Sequence, residues 1–112
     1  MYHQLARILA GRNRRKIRPN TYLVADIDLV GDPIISVIFH ATTIVKAHAD
    51  GRIWLNSGGW RTVTTKDRLN HVLPAWLRVH QTNYAWFISN RVTGDEIPFE
   101  DRMTLTGEGV PA

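Results

Sequence analysis

The chain has 112 residues, enough for one domain, with 44% apolar residues and no cysteine. Those values argue against wholesale disorder and remove disulfides, thiol catalysis and cysteine-ligated zinc together. The net charge of +4 is lopsided: residues 1–18 hold Arg7, Arg12, Arg14, Arg15, Lys16 and Arg18 with no acid, and the rest of the chain sums to −2.

Tyr2, Leu5, Ile8 and Leu9 recur at helical spacing, which predicts a short helix over Tyr2 to Ala10 stopped at Gly11. Gly11 to Asn20 reads as a basic linker ended by Pro19, an arm for polyanions or else a solvated segment. Thr21 to Val30 predicts a strand, Gly31-Asp32-Pro33 a turn, and Ile34 to Phe39 a second strand. The apolar run at Ile34 to Phe39 is far too short to span a bilayer, and no cleavable leader is visible, so a cytosolic protein with no membrane association is expected.

Thr42 to His48 and Arg52 to Asn56 predict two further strands around Ala49-Asp50-Gly51. A three-residue loop pairs Val45 with Leu55, Lys46 with Trp54 and Ala47 with Ile53. One face is then wholly apolar, and the other carries Lys46, His48, Arg52 and Trp54. A two-residue Asp50-Gly51 turn would mix polar and apolar partners, so hydrophobic alternation selects the longer loop. Ser57 to Arg61 is a loop, and a helix is expected from Thr65 to Leu73, capped by Thr64 with Asp67 three residues on and ended by Pro74. Trp76 to Gln81 and Tyr84 to Asn90 form strands around Thr82-Asn83, a short strand follows at Ile97 to Phe99, and the chain from Thr106 is expected to be loose.

Three places carry candidate chemistry. Cations and aromatics alternate on the outer faces of the hairpins: Lys46, His48, Arg52 and Trp54, then Trp76, Arg78 and His80. Such a surface suits single-stranded nucleic acid, with phosphates on the cations and bases stacked on the rings at roughly 1–3 kcal/mol each. The competing reading is that another element covers the tryptophans. The second place is the loop Gly58-Gly59-Trp60-Arg61 running into Thr64-Thr65-Lys66, where glycines and free N–H groups at a helix start could meet an anion. Arg61, Lys66 and Arg68 put positive charge where the helix dipole disfavours it, unless a ligand reverses the sign. No Gly-Lys-Ser/Thr ending makes this a P-loop, and a plain capped turn is the alternative. The third is catalysis or metal binding. His40, His48, His71 and His80 lie on different predicted elements with no metal-ligand spacing. Asp26 and Asp28 fit a solvent-facing strand, and Asp95, Glu96, Glu100 and Asp101 are an acidic cluster that can equally pair with the basic segment.

The stretch HADGRIWLNSGGWRTVTTKDRLN, residues 48–70, resembles the core of a family of small uncharacterised tailed-bacteriophage proteins. Its members share a strand ending in Asp-Gly, then Leu-Asn-Ser-Gly-Gly-Trp, then Thr-Thr-Lys and a short helix with an asparagine. Here these are Asp50 and Gly51, Leu55 to Trp60, Thr64 to Lys66, and Asn70. The Trp86 strand and Ile97-Pro98-Phe99 are also similar. The resemblance covers roughly residues 40–103 and leaves out the basic N-terminus. It implies a phage accessory protein acting in the cytoplasm of an infected bacterium and supplies no mechanism.

The expected fold is α+β: a curved antiparallel sheet or partly open small barrel with one central helix and a short N-terminal helix. Residues 1–20 would be helix and basic arm, 21–105 the domain, and 106–112 a flexible tail. The expected function is non-enzymatic nucleic-acid binding, without metal or cofactor. The binding residues would be Arg12, Arg14, Arg15, Lys16, Lys46, Arg52, Trp54 and Arg78, together with Gly58 to Arg61 and Thr64 to Lys66. Binding to a host protein, such as a defence component, and nucleotide or anion binding at the helix start are the alternatives.

Overall fold

The computed structural model describes all 112 residues. From the N-terminus the elements are α1 (Tyr2–Leu9), β1 (Arg14–Arg18), β2 (Thr21–Ile27), β3 (Pro33–Phe39), β4 (Thr42–His48), β5 (Ile53–Leu55), α2 (Val63–Val72), β6 (Leu77–Thr82), β7 (Ala85–Asn90), β8 (Glu96–Pro98) and β9 (Met103–Leu105). The strands form two antiparallel sheets, β1-β2-β3-β4-β5-β9 and β6-β7-β8, so the protein is α+β with neither sheet closed into a barrel.

Hydrophobic alternation explains the large sheet. Leu23, Val37, Val45 and Leu55 pair in one row and Ile35, Ala47 and Ile53 in the next, all buried. The β4–β5 register is the one that the three-residue loop requires: Val45 faces Leu55, Lys46 faces Trp54 and Ala47 faces Ile53. Gly51, at φ +100, closes that loop. One continuous core joins these rows to Leu69 and Val72 of α2, to Leu77, Val79, Trp86 and Ile88 of the smaller sheet, and to Leu5 and Leu9 of α1.

Several boundaries differ from the sequence reading. The stretch expected as a basic linker is strand β1, paired with β2 at Arg14–Val24, Arg15–Leu23 and Lys16–Tyr22. An edge strand has one side in water and tolerates charge on both faces, so its composition imitates a linker. The boundary drawn at residue 20 therefore falls in the β1–β2 turn, where Asn20 has φ 55. Strand β2 stops at Ile27 because the Asp28 carboxylate accepts the N–H groups of Val30 and Asp32 and folds the chain into a turn. The β6–β7 link is the two-residue turn Asn83-Tyr84, both at positive φ, with Thr82 facing Ala85.

Strand β9 was not expected; it pairs with β5 at Leu55–Met103 and Ile53–Leu105. The segment expected to be loose folds back on it. Thr106 N–H donates to Val110, Ala112 N–H donates to Thr104, and Pro111 bridges to Leu105. A Cβ on Gly109 would stand 2.7 Å from the Trp76 ring. The final turn thus packs on Trp76, which lies before β6 and not on its outer face.

Candidate nucleic-acid interface

Pairing in a common register carries one row of side chains across all six strands of the large sheet: Arg14, Val24, Ser36, Lys46, Trp54 and Thr104. Side chains alternate along a strand, so this row lies on the face opposite the core, together with Lys16, Tyr22, His48 and Arg52. No helix packs on this face; α1 and α2 contribute to the core on the other side.

Aromatic rings and cations are already matched there. The Arg14 guanidinium stands 4.1 Å from the centroid of the Tyr22 ring, and Lys46 Nζ stands 4.6 Å from that of Trp54. Lys16 is exposed beside them on β1. Arg52 is engaged differently: its Nε lies 2.8 Å from Asp50 and its Nη2 3.9 Å from Asp28, which also lies 3.7 Å from His48 Nδ1. Asp28 is held below the ordinary carboxylate range, chiefly by the Asp32 N–H, against partial desolvation and with help from Val30, His48 and Arg52. One end of the face is therefore acidic and internally paired, while the Arg14–Lys16–Lys46 part keeps cations that no acid neutralises.

The remaining residues singled out from sequence lie elsewhere. Arg12 is exposed in the α1–β1 connection, and Arg15, on the core side of β1, donates to the Ile8 carbonyl. Arg78 is on the smaller sheet, opposite Ser89. His80 lies 2.9 Å from Glu96, His71 Nδ1 lies 3.1 Å from Arg18, and His40 is in the β3–β4 turn, so the histidines do not gather.

The Gly58–Lys66 segment forms a third location. The cap of α2 is Thr62, whose Oγ1 accepts the Thr65 N–H at 3.2 Å; Thr64 and Thr65 lie inside the first turn. Thr62 wins because its backbone is extended, at φ −103 and ψ 163. The glycine loop is anchored by Asp101, whose Oδ1 accepts both the N–H and the hydroxyl of buried Ser57 at 2.8 and 2.6 Å. Gly58 leaves room for Thr42, whose Cγ2 would be 2.5 Å from an added Cβ. Arg61 turns to the Phe99 carbonyl and lies over the Trp86 and Phe99 rings; Arg68 donates to Thr21 and pairs with Asp67. These two cations thus have partners within the protein. A groove of about 580 Å³ does open between the β3–β4 turn and the start of α2, with exposed Trp60 on its wall and Thr64 and Thr65 on its lining.

Sequence reasoning missed Tyr22, although Asp26 and Asp28, read as solvent-facing, have the same parity along the strand and put Tyr22 on the open side with them. It named Asn70 only as a motif residue and gave it no role; its amide bonds both the Val79 carbonyl and the Val79 N–H at 2.8 Å, pairing with the edge of β6 as a strand would.

No curated protein and no solved structure matches the chain. The family model described as Kyanoviridae Gp96 protein matches residues 1–106, so it takes in α1 and β1 as well as the Asp-Gly and Ser-Gly-Gly-Trp segments. The chain belongs to this family of phage proteins, the Kyanoviridae Gp96 family.

Proposed function

We propose that this phage protein binds single-stranded nucleic acid across the open face of its larger sheet, as a binding protein without catalytic activity, inside the infected host cell. The observation that carries the reading is the face along the Arg14-to-Trp54 row, where Arg14 lies against the Tyr22 ring beside the row and Lys46 against Trp54, and which no helix covers. A base can take the place of a cation on its ring, while the displaced cation moves to a phosphate, so both halves of each pair find partners in the complex. From Arg14 on β1 to Trp54 on β5 there are four strand spacings of about 4.8 Å, a length of about 19 Å, room for a short run of nucleotides. Rings that bases stack on favour a single strand, whose bases are free to stack on them, over a duplex.

The test is a fluorescence-anisotropy titration of labelled single-stranded DNA and RNA oligonucleotides at several salt concentrations. Engagement of phosphates by Arg14, Lys16 and Lys46 is expected to give a log–log salt slope of about −2. Trp54→Ala is expected to lose about 1–3 kcal/mol of affinity with little change in melting temperature. Binding that ignores both salt and Trp54 would exclude this face.

A further inference from the structure

The sheet edges differ in how they end. At β9 the C-terminal segment turns back, bridging Pro111 to Leu105 and donating Ala112 N–H to Thr104. At β6 the Asn70 amide occupies the backbone groups of Val79. Strand β8 has three residues. Strand β1 is longer, and all of it is exposed except half-buried Ile17. Ala25 N–H donates to Asn13 at 2.8 Å, and the pairing continues with Arg14–Val24, Arg15–Leu23 and Lys16–Tyr22. In an antiparallel ladder, bonded and non-bonded pairs alternate, so the N–H and C=O groups of Arg14 and Lys16 point away from β2 into solvent.

We propose that β1 is a docking edge for an extended acidic segment of a partner protein, which adds to the large sheet as a further strand. The identity of the occupant follows from charge. A second copy of β1 would set arginines and lysine directly against their own kind, and like charges across a ladder are destabilising. An acidic strand instead meets Arg14 and Lys16 on one face, while on the other Arg15 is held by the Ile8 carbonyl. Beside that second face lies a groove of about 380 Å³, floored by Leu5, Ile8, Ile17 and Val72. Acidic side chains therefore suit one side of the incoming strand, and apolar ones suit the other. Main-chain bonds supply affinity and the alternation supplies selectivity. This inference does not depend on nucleic-acid binding, which uses side chains of the open face and leaves the β1 backbone free.

The experiment uses the full chain and a short labelled peptide of alternating Glu and Val. Its controls are the same composition in two blocks and the alternating peptide N-methylated at every second amide, in both registers. At near-physiological salt the alternating peptide is expected to bind at least about tenfold more tightly than the block peptide and than one of the two N-methylated forms. It should also slow hydrogen exchange at the Arg14 and Lys16 amides. A single-stranded oligonucleotide is expected to leave those two amides unprotected, so failure of either reading is seen separately. Equal binding of all the peptides, no binding, or protection confined to other strands would overturn the proposal. So would protection of Arg14 and Lys16 that rises with protein concentration in the absence of peptide, the signature of a second copy on the edge.

Discussion

Gly51 tests whether the β4–β5 hairpin is held by its loop. At φ +100 it occupies backbone space that a β-branched residue resists, and an added Cβ would stand 3.4 Å from the Gly107 backbone. Gly51→Val is therefore expected to lower unfolding free energy by about 1–2 kcal/mol or more, read by urea denaturation. Arg52→Ala removes the contacts of a largely exposed side chain to Asp50, Asp28 and His48 and is expected to do less; equal losses would mean that the loop does not set the register. Asp101 gives a pH-dependent counterpart. Partial burial works against its charge, but the hydroxyl and N–H of Ser57, the nearby Arg61 and the Gly59 N–H outweigh that, and the carboxyl titrates below its usual range. A carboxyl that is more acidic when folded contributes stability that is complete above the ordinary carboxylate range and is lost as pH falls through the folded value. Asp101→Asn is expected to lower the melting temperature at neutral pH and to flatten its fall on acidification. Parallel melting curves against pH for the two proteins would show that the charge is not what anchors the glycine loop.

Helix α2 shows where local chemistry reads clearly from sequence and where it does not. Its apolar positions, Leu69 and Val72, and its stop before Pro74 follow from periodicity and proline sterics. Its start does not, because Thr62, Thr64 and Thr65 all have capping side chains, and only the backbone conformation at Thr62 decides among them. Thr62→Ala is expected to cost about 1 kcal/mol and Thr64→Ala close to nothing; the reverse order in thermal melts would restore the later start. The same helix carries Asn70, whose role depends on the backbone of β6, the strand beside it, nine residues on in sequence. Asn70→Ala leaves the buried Val79 without its side-chain partner on that edge and is expected to cost about 1–3 kcal/mol, with faster exchange of the Val79 amide as the direct readout. A hydrogen-bonded plug of this kind leaves no mark in hydrophobic periodicity, whereas the β4–β5 register, fixed by alternation alone, is legible to the residue.

In the molecule as a whole, the main misreading and the candidate site share a cause. Charge density made residues 11–20 look like an arm, but Arg14 and Lys16 reach the face that bears Lys46 and Trp54 only because β1 is a strand in register with β2. Arg61 and Arg68, which sequence placed at a ligand site, are instead engaged with Phe99 and Thr21, contacts made across 38 and 47 residues that no local pattern encodes. The family match from residue 1 agrees with an N-terminus that is part of the fold. Deletion of residues 1–18 measures this directly. It removes Leu5 and Leu9, each 3% exposed, whose burial is worth about 1.5–3 kcal/mol apiece, and strips β1 from the edge of β2, where Leu23 is fully buried. Stability in a domain of this size is about 5–15 kcal/mol, so the loss takes a large part of it. The truncated chain is expected to lose cooperative thermal unfolding, or to melt far below the full chain. Leu5→Ala and Leu9→Ala, which leave β1 in place, are each expected to cost about 2–5 kcal/mol. If the truncated protein instead melts sharply within a few degrees of the full chain, α1 and β1 are an appendage, and the row from Arg14 to Trp54 loses its first member without loss of the fold.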